Sequence, residues 1–168
     1  MITIVIFAPN YNRMDKLVGF IRTLSYLTFL AALIWAYASL AGQVSYKFDG
    51  DGTAMEIVDK NTFFFASVII FLVANIICVS FLKVLKKIKS SEEGAGIRNK
   101  GLKSDVITWV KGFAGILNIM FTTIVFFIGY MNMNELKLDV LSVYIYIGPV
   151  LLIFWFFYLV KILSVRRA

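Results

Sequence analysis

The stretch "TFFFASVIIFLVANIICVSFL" (residues 62–82) contains no charged side chain, and that absence decides the fold class. A helix rising 1.5 Å per residue needs about 20 apolar residues to cross a hydrocarbon core roughly 30 Å thick. An isolated strand would leave its backbone polar groups unpaired in lipid, and barrel strands would alternate polar with apolar positions. Three further stretches meet the same criterion, which gives spans near 23–41, 62–82, 112–132 and 140–160. Outer loops then fall at 42–61 and 133–139, and a basic loop at 83–111.

Composition points the same way. Of 168 residues, 60% are hydrophobic and 16% charged, with 16 phenylalanines, whereas a soluble domain carries about 25% charged residues. The expectation is an all-α integral membrane protein, a single domain of four transmembrane helices, with the lipid bilayer as its main partner.

Placement of the basic residues sets an orientation. Of the 17 lysines and arginines, all but Lys47, Lys60 and Lys137 lie before the first span, between the second and third, or after the fourth. Basic residues favour the cytoplasmic face, so both termini and the central loop are expected there. The +7 net charge is accounted for by anionic headgroups beside these membrane edges, and no nucleic-acid partner is expected.

The opening "MITIVIFAP" lacks the basic region and cleavage site of a signal peptide. Residues 1–13 are expected to form an interfacial segment, or to precede a translation start at Met14. Within the basic loop, Leu102, Val106, Trp109 and Val110 recur at helical spacing. A short interfacial helix leading into the third span is expected there.

Few groups offer chemistry. Histidine is absent, which removes imidazole-based triads and His-ligated zinc or haem. Cys78 sits in an apolar run and is expected to act as a small buried hydrophobe. No Asp, Glu, Lys or Arg lies within a span, although driven transporters commonly place one near the midplane. No nucleophile and base are evident, so catalytic, cofactor and metal sites are all expected to be absent. The strongest internal polar groups are Asn75 and Asn118, which fall at similar depth and invite a hydrogen bond between the second and third helices. Gly148 and Pro149 predict a kink or loosened turn near the start of the last span.

The outer loop "VSYKFDGDGTAMEIVDK" (residues 44–60) is the other polar stretch. Val44, Tyr46 and Phe48 alternate with Ser45 and Lys47, predicting a short extended segment, and Asp49, Gly50, Asp51 and Gly52 then supply turn chemistry. Asp49, Asp51 and Glu56 offer hard oxygens, but their spacing fails the EF-hand pattern.

With its flanks, this loop resembles the small bacterial membrane domain of unknown function 1648, which precedes the SdpI immunity module in some proteins. The matching positions are Leu40, Val44, Phe48, Asp49, Gly52 and Lys60, within about residues 35–72. Ala41 and Ser45 stand where that pattern has prolines, and Lys47 where it has histidine. The resemblance implies a bacterial inner-membrane protein with an outward-facing cap, and Lys47, Phe48, Asp49 and Gly52 as its recognition residues. The expected role is that of a non-enzymatic accessory, sensor or immunity-type factor working with another membrane protein or as a homo-oligomer. The alternative is a small oligomeric transporter or channel component.

Overall fold

The computed structural model describes residues 11–49, 53–88, 100–133 and 146–165. Its elements, in order, are α1 (Tyr11–Ser39), β1 (Gln43–Phe48), β2 (Ala54–Asp59), α2 (Lys60–Lys87), α3 (Lys100–Met133) and α4 (Ile147–Val165). All four helices are long and apolar enough to cross a membrane. The fold is not purely helical, because β1 and β2 form an antiparallel hairpin between the first two helices.

The helices outrun the apolar spans. α1 reaches back through Arg22, Lys16 and Asp15, and α3 continues unbroken from Lys100, so the stretch with Leu102, Val106, Trp109 and Val110 is the first part of α3 and not a separate interfacial helix. Charge marks where a helix leaves lipid and does not stop it, since Lys, Arg and Glu are good helix formers. At 34 residues α3 is about 51 Å long, well beyond the hydrocarbon thickness. Its first turns therefore project at the basic end of the bundle. There Lys111 Nζ meets Asp15 of α1 at 2.7 Å, and Thr108 Oγ1 donates to the same carboxylate at 3.1 Å.

Helix ends are closed by specific groups. Asp59 caps α2, its carboxylate accepting from the Asn61 amide at 2.8 Å. Lys60 Nζ donates to the Leu40 carbonyl just past α1 at 2.9 Å and lies over the Tyr37 ring. A cation there meets the negative end of the α1 dipole. At the far end of α2, Lys103 Nζ donates to the carbonyls of Lys86 and Ile88.

α3 is the centre of the bundle, packing along α1 and touching α2, α4 and β1. One core cluster gathers Phe29, Leu33, Ala36, Val44, Phe63, Phe71 and Val125. Within it the Phe29 and Phe71 rings stack with centroids 3.8 Å apart. A second cluster at the basic end joins Leu82, Leu85, Trp109, Val110 and Ile162. There α3 and α4 are clasped reciprocally: Trp109 Nε1 donates to the Trp155 carbonyl at 2.7 Å, and Trp155 Nε1 to the Trp109 carbonyl at 2.9 Å.

Where Gly148 and Pro149 predict a kink or a loosened turn, the structure places a turn at Tyr146 and then a helix start. α4 begins at Ile147, so Pro149 falls in the first turn, where its missing N–H has no intrahelical partner to lose. Gly148 lies against Met120, so the described part of α4 runs from the level of the middle of α3 towards the basic end. Residues 140–145 of the expected fourth span lie outside the described residues.

The outward surfaces are apolar. Only 11% of the apolar stretch of α4 is buried, and Phe154, Phe157, Ile76 and Ile77 are each more than half exposed. Water would not tolerate so continuous an apolar surface, whereas lipid would match it.

Candidate functional site

The hairpin is held by its first strand. Val44 is fully buried in the core cluster and Ser45 is buried beside it. Asn132, near the end of α3, grips the Ser45 backbone from the side away from β2. Its Oδ1 accepts from the Ser45 amide at 2.7 Å, and its Nδ2 donates to the Ser45 carbonyl at 2.7 Å. The Asn132 amide thus stands where a third strand would pair and occupies the otherwise open edge of β1. Nδ2 also donates to the Ile128 carbonyl at 2.8 Å, which fixes the orientation of the amide.

The register shift between Lys47 and Phe48 leaves its extra residue, Met55, in β2, and the shift between Ser45 and Lys47 places a bulge at Tyr46 in β1. The Ser45 hydroxyl fills it, reaching the carbonyls of Lys47 and Glu56 at 3.1 Å each. Bulges of this kind re-aim side chains. Here Lys47 Nζ donates to Glu56 Oε1 at 2.6 Å, and the Tyr46 hydroxyl donates to Glu56 Oε2. The Glu56 carboxyl is held below its ordinary range, first by the bond from Lys47 and then by that from Tyr46. A lowered folded-state pKa means that this cluster stabilises the hairpin above the ordinary carboxylate pKa. The contribution fades as pH falls through the lowered value.

The expected recognition residues are thereby sorted. Lys47 is exposed and ion-paired, whereas Phe48 is half-buried opposite Ala54. Asp49 shapes the turn: its Oδ1 accepts from the Thr53 amide at 2.7 Å, and its own amide donates to the Thr53 carbonyl at 3.0 Å. Gly52 lies outside the described residues, as do Gly50 and Asp51. Tyr46, Met55 and Ile57 share the exposed surface with Lys47 and Glu56. Sequence pattern missed them because "AMEIVD" lacks a clean alternation.

A second polar cluster lies inside the bundle. Asn75 Nδ2 of α2 donates to Asn118 Oδ1 of α3 at 2.8 Å, and Asn118 Nδ2 donates to the Ser25 hydroxyl of α1 at 3.1 Å. Asn118 therefore ties three helices together while only 1% exposed. Asn75 Nδ2 also donates to the Phe71 carbonyl at 2.9 Å. Two acceptors around that nitrogen fix the amide's orientation and leave its buried Oδ1 without a donor among the described residues. Ser25 and Asn132 escaped sequence reasoning, since a hydroxyl or a terminal amide in an apolar helix is ordinary until its neighbours are known.

Asn132→Leu is expected to remove both side-chain bonds to Ser45 and leave its backbone groups unpaired, at a cost of about 1–3 kcal/mol to local hairpin order. Amide hydrogen exchange should quicken across residues 43–59 by roughly tenfold or more, with α2 and α3 protected as before. Unchanged hairpin exchange would show that Val44 alone anchors the strand. No protein-family model, curated protein or solved structure matches this chain.

Proposed function

We propose that this protein is a non-enzymatic accessory, sensor or immunity-type factor of a bacterial inner membrane, and that it presents its hairpin outside the cell as a recognition surface. The observation that carries the proposal is the grip of Asn132 on Ser45. A connection between two helices needs only a turn. This one is docked through a buried valine and a side-chain amide, while its other strand is held out with Met55 and Ile57 exposed at 60% and 55%. Ordering the backbone has an entropic cost, and a rigid surface lowers the cost of binding a partner. The outer edge of β2, which no described strand covers, two exposed aliphatic residues and the Tyr46–Lys47–Glu56 cluster suit a peptide segment or another membrane protein. The bacterial assignment rests on the loop's resemblance to the domain of unknown function 1648, and the outward direction on the flanking basic residues.

The direction is tested by reporter fusions: those after Glu93 and Ala168 should report cytoplasm, and one after Asp51 should report the outside. A cytoplasmic signal at Asp51 would reverse the topology. Recognition is tested by alanine substitutions at Lys47 and Ile57, both exposed and neither needed for the turn. Each should leave protein abundance within about twofold of wild type, as exposed positions usually do, yet weaken the phenotype that deletion of the gene produces. Phe48→Ala and Asp49→Ala should weaken it as well, with Asp49→Ala also loosening the turn. Full activity in all four variants would reduce the hairpin to a spacer. Ion or solute flux above that of empty proteoliposomes would favour a transport role.

A further inference from the structure

We propose that a hollow beneath the hairpin, between α2 and α3, holds one acyl chain of a lipid from the hairpin-side leaflet. This inference rests on membrane insertion alone and holds whichever way the hairpin faces. The hollow has a volume of about 390 Å³. A dry apolar cavity of about 150 Å³ already takes a benzene molecule, so one this size is filled by something in a close-packed protein. Water is a poor occupant: hydrocarbon lines most of the wall, the Tyr46 hydroxyl is engaged with Glu56, and the other lining hydroxyls are Thr62 and Ser67.

Three features identify the occupant. The floor is buried and apolar, formed by Phe29, Phe63 and Val125. The rim is Thr62, Ala66 and Ile70 on α2 and Ile124 on α3, all exposed on the flank that lipid would touch. The hollow therefore opens sideways into the bilayer. Its depth is one leaflet: from Thr62 to Ile70 the helix rises about 12 Å, against about 15 Å for half the hydrocarbon core. Tyr46 and Val58 roof it from the hairpin. A chain lying there would have its headgroup end towards the hairpin, beside Tyr46 and Val58.

The hollow exists because Ala66 and Ser67 are small where their neighbours Phe63 and Ile70 are large. Ala66→Phe should block the rim, and Ser67→Leu should fill the interior from α2. The test is photolabelling of the full chain in vesicles of a phospholipid carrying a diazirine midway along one acyl chain, followed by peptide mapping. The wild type should be labelled within residues 62–70 and 121–128, and both variants should lose that label by about tenfold. Labelling at Phe154 and Phe157, on the outer face of α4, should not change, which also verifies that each variant is folded and inserted. Native mass spectrometry of the detergent-extracted wild type should show one retained lipid per chain. Equal labelling in the wild type and both variants, no retained lipid, or crosslinks to a second copy of the chain through this hollow would each overturn the proposal.

Discussion

Gly129→Ala should lower the unfolding midpoint of the protein in detergent micelles, whereas Gly19→Ala should raise it or leave it unchanged. Both substitutions exchange glycine for the best helix former, a gain of about 0.8–1.0 kcal/mol at a helix interior. They differ in what the new methyl group meets. At Gly19 there is nothing within 4 Å. At Gly129 a Cβ would sit 2.9 Å from a Trp35 ring carbon and 3.1 Å from the Cβ of Ala36. Ala36 is fully buried and short, so it cannot turn away, and the Trp35 ring is stacked on Phe126 with centroids 4.8 Å apart. Relief must come from separating α1 and α3, the most extensive helix pair in the bundle. Overpacking of this kind costs about 1–3 kcal/mol, which exceeds the propensity gain. Small residues at such a seam let helices approach closely where no hydrophobic drive pulls them together in lipid. Gly129→Leu should be worse than Gly129→Ala by a margin visible as loss of the folded fraction. Equal midpoints for Gly129→Ala and Gly19→Ala would mean that the α1–α3 seam has room to spare.

Apolar length was enough to locate four helices, because the quantity that lipid demands of a chain can be counted in its sequence. It did not locate their ends. α1 continues through Arg22 and α3 begins at Lys100, since the count measures hydrocarbon thickness while hydrogen bonding sets helix length. That Asn75 and Asn118 lie at one level of the bundle was also accessible, because helical rise converts sequence separation directly into distance along the axis. The hairpin was half legible. The alternation from Val44 to Phe48 marks β1, but β2 owes its strand to pairing with β1, a non-local cause with no local signature. Asn132 lies 87 residues from Ser45, and no periodicity links a helix end to a strand backbone so distant in sequence. Pro149 left a kink and a loosened turn both open for a related reason: a proline has opposite meanings in the first turn and in the interior of a helix, and only the observed start at Ile147 distinguishes them.

Asn118→Leu is expected to destabilise the bundle, and adding Asn75→Leu to it should cost little or restore some stability. Asn118 accepts from Asn75 and donates to Ser25, so its loss unties α2 and α1 from α3 at one point. Individual hydrogen bonds between membrane helices average about 0.6 kcal/mol and reach about 1.7 kcal/mol. Two such bonds put the single substitution at roughly 1–3 kcal/mol. Ser25 suffers less than Asn75, because its hydroxyl also donates to the Arg22 carbonyl at 2.7 Å. Asn75 would keep only its bond to Phe71, with its Oδ1 still lacking a donor among the described residues. Once Asn118 is gone, Asn75 is mostly a desolvated amide in an apolar setting. Replacing both partners by apolar groups of similar shape is far cheaper than replacing one. The double-mutant cycle, measured by reversible unfolding in micelles, should therefore show a coupling of about 0.5–2 kcal/mol between Asn75 and Asn118. A parallel cycle between Asn118 and Lys47, on the hairpin, should show coupling below about 0.5 kcal/mol, as independent sites do. If Asn75→Leu and Asn118→Leu simply add, the two amides do not share a hydrogen bond in the membrane, and three-helix cohesion must be sought in the Phe29–Phe71 stack instead.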